Sequence, residues 1–569
     1  MNTPTRTTIA KTEAVANGGM VASKDRRATA AGLAMLELGG NAVDAAVAAA
    51  FAVGVVEPGS SGIGGGGYLV YQVDGRGGVF GFQMKGPVNA RPDMYTLTGE
   101  VAVGSFGWPG VEGDANLQGA RSIAVPGAVA GLCEAQASLG RLPLAEVVAP
   151  AIALARDGFV PGWHALYALG MAVPKMLGSE ELARTFLPDG QLPASEPGAE
   201  VRLRQGDLAN VLEEIAERGP AGFYRGDVAS AIVAGVADAG GILTERDLAE
   251  YRPYHWDRGL EFAYSSRTVR VPPFACAGTT SAMTLKLFEQ SGGPELGHNS
   301  IDGLHAYIAS ARLAYADRYA YMSDPETVQA PWRGLVADGY LAERAALIDP
   351  RKVPVFEPGD PWRFDDAPPG PRLPASAPAF DAGTTHLCAM DGDGNAVSLT
   401  NTLMASFGSG FMSPGTGVVL NNGMMWFDPV PGRVNSIQPG KRALNNMTPA
   451  LVLGPEGAIM AVGASGGRRI TNCVTQLISK VVDFGMGPQE AIDSPRVDCS
   501  LPETALDPRF AEEIVAGLRS RGHRINVNGD MDLAEGFSSF ASPVAIVADA
   551  SAGFRAGVDT FHSAHAQGI

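Results

Sequence analysis

The chain has 569 residues, 46% of them hydrophobic and 18% charged, which supplies a large folded core and excludes a disordered chain. Its formal net charge of -17 lacks the basic footprint that phosphate backbones demand, so no nucleic-acid partner is expected. The 5 cysteines are scattered, odd in number and free of any C-x-x-C pair, which sets aside a disulfide framework or zinc site and fits a reducing compartment.

Residues 1–18 carry Lys and Arg but no apolar run, so neither a signal segment nor a membrane anchor is read there. A soluble, cytoplasmic protein is expected. Met20–Ser23 reads as a short strand, and Arg26–Leu38 as a helix stopped by Gly39-Gly40. Ala42–Val55 is almost all Ala, Val and Phe, the pattern of a helix buried on every side, and it is too short to span a bilayer. Glu57-Pro58 ends it, and the glycine run from Gly62 to Gly67 leads into a strand over Tyr68–Val73. Helical patterns recur at Ala128–Leu139, Leu144–Asp157, Gly206–Glu217, Val228–Ala239 and Thr280–Glu289, so residues 100–345 read as mainly helical.

From Val353 to about Ala382 the composition turns to Pro, Asp, Gly and Ser, which predicts a mobile surface segment with no packed element. Strand-like runs follow at Thr385–Met390, Ala396–Asn401, Gly417–Leu420, Ala450–Leu453 and Ile459–Val462, with a hairpin turn at Asp391–Asn395. Gln476–Asp483 and Phe510–Arg519 read as helices, and there is no internal repeat. Length alone suggests roughly three or four domains, but one large sandwich is equally allowed. A helix-rich front, a proline-rich connector and a strand-rich back third together indicate α+β layering.

The segment Gly383-Thr384-Thr385-His386, at the end of the proline-rich stretch, carries the sharpest chemical signal. A threonine hydroxyl is a weak nucleophile unless a base lies beside it, and a cut before Thr384 would supply one as the new α-amine. That amine has a reference pKa of about 7.7–8.0, near enough to neutrality to accept a proton. Taken alone, Thr-Thr-His at a strand start is also ordinary β-propensity.

Wider matches decide between these readings. Thr384-Thr385-His386 with Asp393-Gly394-Asn395-Ala396-Val397 resembles the head of the small subunit of the gamma-glutamyltranspeptidases. Gly19–Ser23, Gly39–Ala46, Val56–Gly67, Val125-Pro126-Gly127, Ala314–Arg318 and Gln438–Pro449 resemble other segments of the same family, in the family's order over nearly the whole chain. The resemblance implies the four-layer αββα sandwich of N-terminal-nucleophile hydrolases. It also implies cleavage between Gly383 and Thr384, giving a large subunit of residues 1–383 and a small one of residues 384–569 that together form one structural domain. Thr384 is then the nucleophile of both self-cleavage and turnover, Thr402 its hydrogen-bonding partner, and Gly466-Gly467 the oxyanion hole. The implied chemistry needs no metal or cofactor, and a homodimer of the processed heterodimer stays open.

The family's substrate clamp is altered. Gln83 stands where the family has an arginine for the substrate α-carboxylate, with Lys85 nearby as the one alternative cation. Met404 replaces an asparagine, Trp426 an amine-binding aspartate, and Asn445 and Asn446 two carboxylate-binding serines. Together these changes remove the charges that a gamma-glutamyl group requires. A small amide that is not a gamma-glutamyl compound is the expected substrate, with a true gamma-glutamyl hydrolase or transpeptidase as the alternative.

Rival motifs were weighed. Gly463-Ala464-Ser465-Gly466-Gly467 satisfies G-x-S-x-G, but a serine hydrolase would also need an acid and one of His523, His562 or His565 downstream. Gly62–Gly67 formally satisfies G-x-G-x-x-G, yet it follows a helix and precedes a strand, the reverse of a dinucleotide site, so tight backbone packing is the better reading. His386 is assigned no chemistry, Asp317-Arg318 is read as structural, and Met424 and Trp426 are left open between pocket and core. An inactive binding relative is disfavoured by the retained Thr384, Thr402, Gly466 and Gly467.

Overall fold

The computed structural model describes residues 10–101, 109–195, 198–371, 373–375, 383–527, 540–549 and 553–569. Two 7-stranded sheets dominate it. In chain order their strands are β1 Ala14–Ala16, β2 Gly19–Ser23, β3 Gly66–Val73, β4 Arg76–Phe82, β5 Tyr254–Trp256, β6 Leu260–Tyr264 and β7 Arg267–Val271. They continue as β8 Gly383–Asp391, β9 Ala396–Met404, β10 Ala450–Gly454, β11 Gly457–Ser465, β12 Ser542–Asp549, β13 Gly553–Val558 and β14 His565–Gly568. One sheet runs β14-β2-β8-β9-β3-β4-β5 and the other β1-β13-β12-β11-β10-β7-β6.

Period-two alternation sorts the side chains into layers. On β8, Leu387 and Ala389 join a cluster with the helix Ala42–Val56, whereas Cys388 and Met390 turn inward to meet Ala461, Val544 and Ile546 of the second sheet. On the far side of that sheet, Val452, Val462 and Ala464 pack under Ile470, Val474 and Leu477 of the helix Arg469–Val482. The result is helix, sheet, sheet, helix: the αββα sandwich. Strands from both sides of Gly383 contribute to both sheets, since β2 and β3 flank the β8-β9 pair while β1 pairs with β13.

The helix Ala42–Val56 is buried on nearly every residue, as its composition demands. Asn41 caps it in a reciprocal box with Asp44, and Asp391 of the β8-β9 hairpin accepts the Ala42 N–H at 2.8 Å. The hairpin turn and the buried helix thereby fix each other.

One expectation holds with an addition, and one is corrected. The segment read as mainly helical also contains β5, β6 and β7, short strands whose charged and aromatic residues mask the alternation. The stretch from Val353 is not free of packed structure, because Pro361–Phe364 forms a 3₁₀ turn and the Gly359 N–H donates to buried Asp317 at 2.8 Å. Phe356 and Phe364 pack against the cluster containing Leu313 and Leu341. Proline bars ladder hydrogen bonds but leaves intervening aromatics free to anchor a loop. Residues 376–382 of that stretch lie outside the described residues. Among the described residues no helix is long and apolar enough to cross a membrane.

Candidate active site

Thr384 sits in a bulge at the start of β8, where Gly383 pairs with Met404 and Thr385 with Asn401, so one residue of β8 faces two of β9. This re-aims its side chain. The Thr384 hydroxyl donates toward the Gly383 carbonyl at 2.8 Å and lies 3.1 Å from the Thr402 hydroxyl. Thr402 donates to the same carbonyl at 2.7 Å and accepts the Met404 N–H at 2.8 Å. One peptide carbonyl is therefore bracketed by two buried hydroxyls. Met404 holds a φ of 86°, a left-handed backbone that is costly for a residue with a side chain, directly opposite Gly383.

The glycine run explains how β9 is held. A Cβ on Gly65 would stand 2.1 Å from the Thr402 carbonyl oxygen, and one on Gly67 would stand 2.0 Å from that of Thr400. Backbone proximity, not nucleotide binding, accounts for these residues.

Glu57 ends the helix Ala42–Val56 and accepts a hydrogen bond from the Thr385 hydroxyl at 3.4 Å. Burial raises its carboxyl to about 7, against the opposing pull of the Lys24 ammonium. Lys24 is 1% exposed and donates to the Ser542 hydroxyl, and burial lowers its pKa. Neither residue stands out in the sequence: Glu57 reads as a helix terminator and Lys24 as the polar end of a strand. A charge beside an otherwise apolar element was the available signal.

His386 is wholly buried, shares hydrogen bonds with Thr400 at 2.9 Å and Cys388 at 3.2 Å, and is pushed down to about 3 by burial. A neutral packing role follows. Gly463 of β11 presses on its ring, so the strand that runs into Gly466-Gly467 packs on the strand that starts at Gly383. Gly466 and Gly467 have φ values of 129° and 61°, and their N–H groups meet no acceptor among the described residues.

The altered clamp positions are buried. Gln83 is 4% exposed and its Oε1 has no partner among the described residues; the same holds for Nε1 of Trp426. Trp426 belongs with Met84, Met404 and Met424 to one apolar core cluster, which places both residues left open above in the core. Asn445 donates to the Ala275 carbonyl at 2.7 Å and to the Tyr68 hydroxyl at 3.1 Å. Arg318 binds the Asn445 carbonyl at 2.6 Å and the Asn446 side chain at 3.0 Å, while Asp317 pairs with Arg344 at 3.3 Å. The Asp317-Arg318 pair is structural, though the two residues serve different partners. Lys85 is partly exposed, its side chain running beside Gly440.

Ser465 lacks what a serine hydrolase requires. Its hydroxyl reaches the Ser542 carbonyl at 3.5 Å, while His523 is bonded to His305 at 2.8 Å and His562 to Asp559 at 2.5 Å. Among the described residues no group of His, Cys, Asp and Glu converges in a way that could hold a metal ion.

The family model for gamma-glutamyltranspeptidase matches residues 28–568. The chain belongs to the gamma-glutamyltranspeptidase family. Within it, the chain is 35% identical over 526 residues to the acylase ACY 1 proenzyme of Pseudomonas sp. (strain V22), covering 91% of this chain and 89% of the relative. It is 32% identical over 527 residues to the glutathione hydrolase proenzyme of Bacillus subtilis (strain 168), covering 90% and 86%. The cephalosporin acylase of Bacillus halodurans superposes with a TM-score of 0.84 at 27% identity, covering 100% of this chain and 98% of that structure. The protein is thus an N-terminal-nucleophile amide hydrolase or acyltransferase, with relatives that carry acylase names and relatives that carry glutathione hydrolase names.

Proposed function

We propose that the chain cleaves itself between Gly383 and Thr384 and then hydrolyses a small amide other than a gamma-glutamyl compound, with Thr384 as nucleophile. The observation that carries this reading is the Gly383 carbonyl held between the Thr384 and Thr402 hydroxyls at 2.8 and 2.7 Å. In self-cleavage the Thr384 oxygen attacks that carbonyl carbon, Thr402 donates to the oxygen that gains charge, and the C–N bond to Thr384 breaks as its nitrogen takes up the hydroxyl proton, leaving an ester and a free α-amine. Water hydrolyses the ester, freeing the hydroxyl of Thr384 and the carboxylate of Gly383.

In turnover that amine takes the hydroxyl proton, the oxygen attacks the substrate amide, and the leaving amine departs with the proton. Gly466 and Gly467 are assigned the oxyanion, in accord with two N–H groups that no described acceptor occupies. The subunits are residues 1–383 and 384–569. Against a gamma-glutamyl substrate stands the burial of Gln83, Met404 and Trp426 at the clamp positions, without an arginine or aspartate among them. The second reading, a true gamma-glutamyl hydrolase, is favoured by the partly exposed Lys85 and by relatives named glutathione hydrolase.

A denaturing gel tests the first step. Active protein should give two bands in place of one of 58.9 kDa, the smaller beginning at Thr384, and Thr384→Ala should remain a single chain. Processed protein should turn over gamma-glutamyl-p-nitroanilide at least tenfold less efficiently than the best simple acyl p-nitroanilide. Parity between them would establish the second reading.

A further inference from the structure

We propose that Lys24 is a positioning residue for turnover: its buried ammonium ties the flank of the strand that carries Thr384 to the turn that carries Gly466 and Gly467, and so sets the distance between nucleophile and oxyanion hole. This rests on the roles proposed for those three residues and adds a residue that acts through them.

Lys24 directly follows β2, the strand on one flank of β8. Ala22 pairs with Cys388, so antiparallel counting sets Lys24 level with His386, two residues after Thr384. Met20, Ala22 and Cys388 share the apolar cluster between the sheets, and period-two alternation turns the Lys24 side chain to that same inner face. There it crosses to the other sheet, where its ammonium donates to the Ser542 hydroxyl and, at 3.5 Å, to the Ser542 carbonyl.

Ser542 opens β12 and is the register partner of Ser465, the last residue of β11. The Ser465 hydroxyl donates to the Ser542 carbonyl at 3.5 Å, and a Cβ on Gly466 would stand 2.8 Å from the Cα of Ala541. The Ser465-Gly466-Gly467 turn therefore leans on residues 541 and 542, and Lys24 holds that support from the opposite sheet.

Charge explains why a lysine is kept at this depth. An ammonium taken out of water is costly unless opposite charge and hydrogen bonds compensate it. Burial lowers the Lys24 pKa, and the Asp559 and Glu57 carboxyls oppose that effect. Glu57 accepts from Thr385, beside the nucleophile. Asp559 follows β13, donates its N–H to the Pro543 carbonyl at 2.9 Å and is bound by His562 at 2.5 Å, which fixes it next to Ser542. The ammonium thus has one carboxyl on the nucleophile's side and another beside the strand that supports the oxyanion turn.

Turnover depends on the separation that this tie sets, because the charge appears on a substrate oxygen held between Thr384 and the two glycines, and a misplacement of about 1 Å can cost roughly 100-fold. Self-cleavage does not depend on it in the same way, since there Thr402 donates to the Gly383 carbonyl within β8 and β9. Loss of the tie should therefore separate the two reactions.

The test uses Lys24→Met and Ser542→Ala, the second of which keeps every charge and removes only the hydroxyl that Lys24 binds. Self-cleavage is timed on a denaturing gel. Processed protein is assayed with acetyl-, phenylacetyl- and gamma-glutamyl-p-nitroanilide, and the one that wild type turns over fastest is used for comparison. Each variant should process within about threefold of the wild-type rate yet lose at least tenfold in kcat, with KM changed by less than about threefold. The double variant should fall no further than about threefold below the poorer single one, because both substitutions break one link. Wild-type kcat in Ser542→Ala, or losses that multiply in the double variant, overturns the tie. So does self-cleavage that slows as much as kcat, the result of a general loosening of the fold. Ser542→Ala decides the matter if Lys24→Met fails to fold. A wild-type protein that stays one chain, or turnover that survives in Thr384→Ala, overturns the nucleophile reading and the tie with it.

Discussion

Glu57 is the residue whose environment says most beyond the proposed nucleophile, Thr384. Burial raises its carboxyl from the ordinary 4.5 to about 7, so between those limits the folded chain holds a proton that the unfolded chain has released. Stability from this group is therefore present at low pH and is lost as pH rises through that window, by an amount on the order of 3 kcal/mol. Glu57→Gln removes the titration. The melting temperature of the variant minus that of the wild type should rise between pH 5 and pH 8, and a difference that stays flat would refute the assigned shift. Thr385, the residue after Thr384, donates to this carboxyl, so the same substitution reports on a group one residue from the bond proposed to be cleaved.

At the scale of elements, the site is made by β8 and β9 pressed against β11, and Gly463 of β11 packs directly on His386 of Thr384's own strand. An added Cβ there would stand 2.2 Å from the His386 ring, which Thr400 and Cys388 pin in place. Relief requires moving β8 away from β11. Gly463→Ala should destabilise the protein by about 1–3 kcal/mol, seen as a lower melting temperature, and slow self-cleavage on a timed gel. Wild-type stability and processing in that variant would mean that the sheets are not held together at this point. The bulge at Thr384 belongs to this scale too: a regular ladder would place the hydroxyl by simple alternation, and the register shift places it against the Gly383 carbonyl instead.

For the molecule as a whole, the strand order determines what cleavage can do. β2 and β3 come from before Thr384 and flank β8 and β9, which follow it, while β1 pairs with β13 in the opposite sheet. Each fragment would forfeit ladder hydrogen bonds and core on leaving the other. After processing, the fragments of residues 1–383 and 384–569 should co-elute in a native column and separate only in denaturant. Free small fragment under native conditions would contradict this interleaving.

Much of the fold was legible in order along the chain. The buried helix over Ala42–Val56, the hairpin turn at Asp391–Asn395 and the strand at Gly383 are local patterns of apolar spacing and turn chemistry, and local patterns survive in sequence. The Thr384 and Thr402 pair was legible through family motifs. Less could be read where partners lie far apart in the chain: β5 to β7 are short sheet-edge strands, and the loop after Val353 packs through aromatics that its prolines obscure. Sequence by itself determined the family and, through the family resemblance, the layering, and it singled out Thr384 as the proposed nucleophile. Tertiary structure alone decided that Lys24 is buried within electrostatic reach of Glu57 and that Trp426 is core, because burial and enclosure are properties of residues brought together from distant parts of the chain.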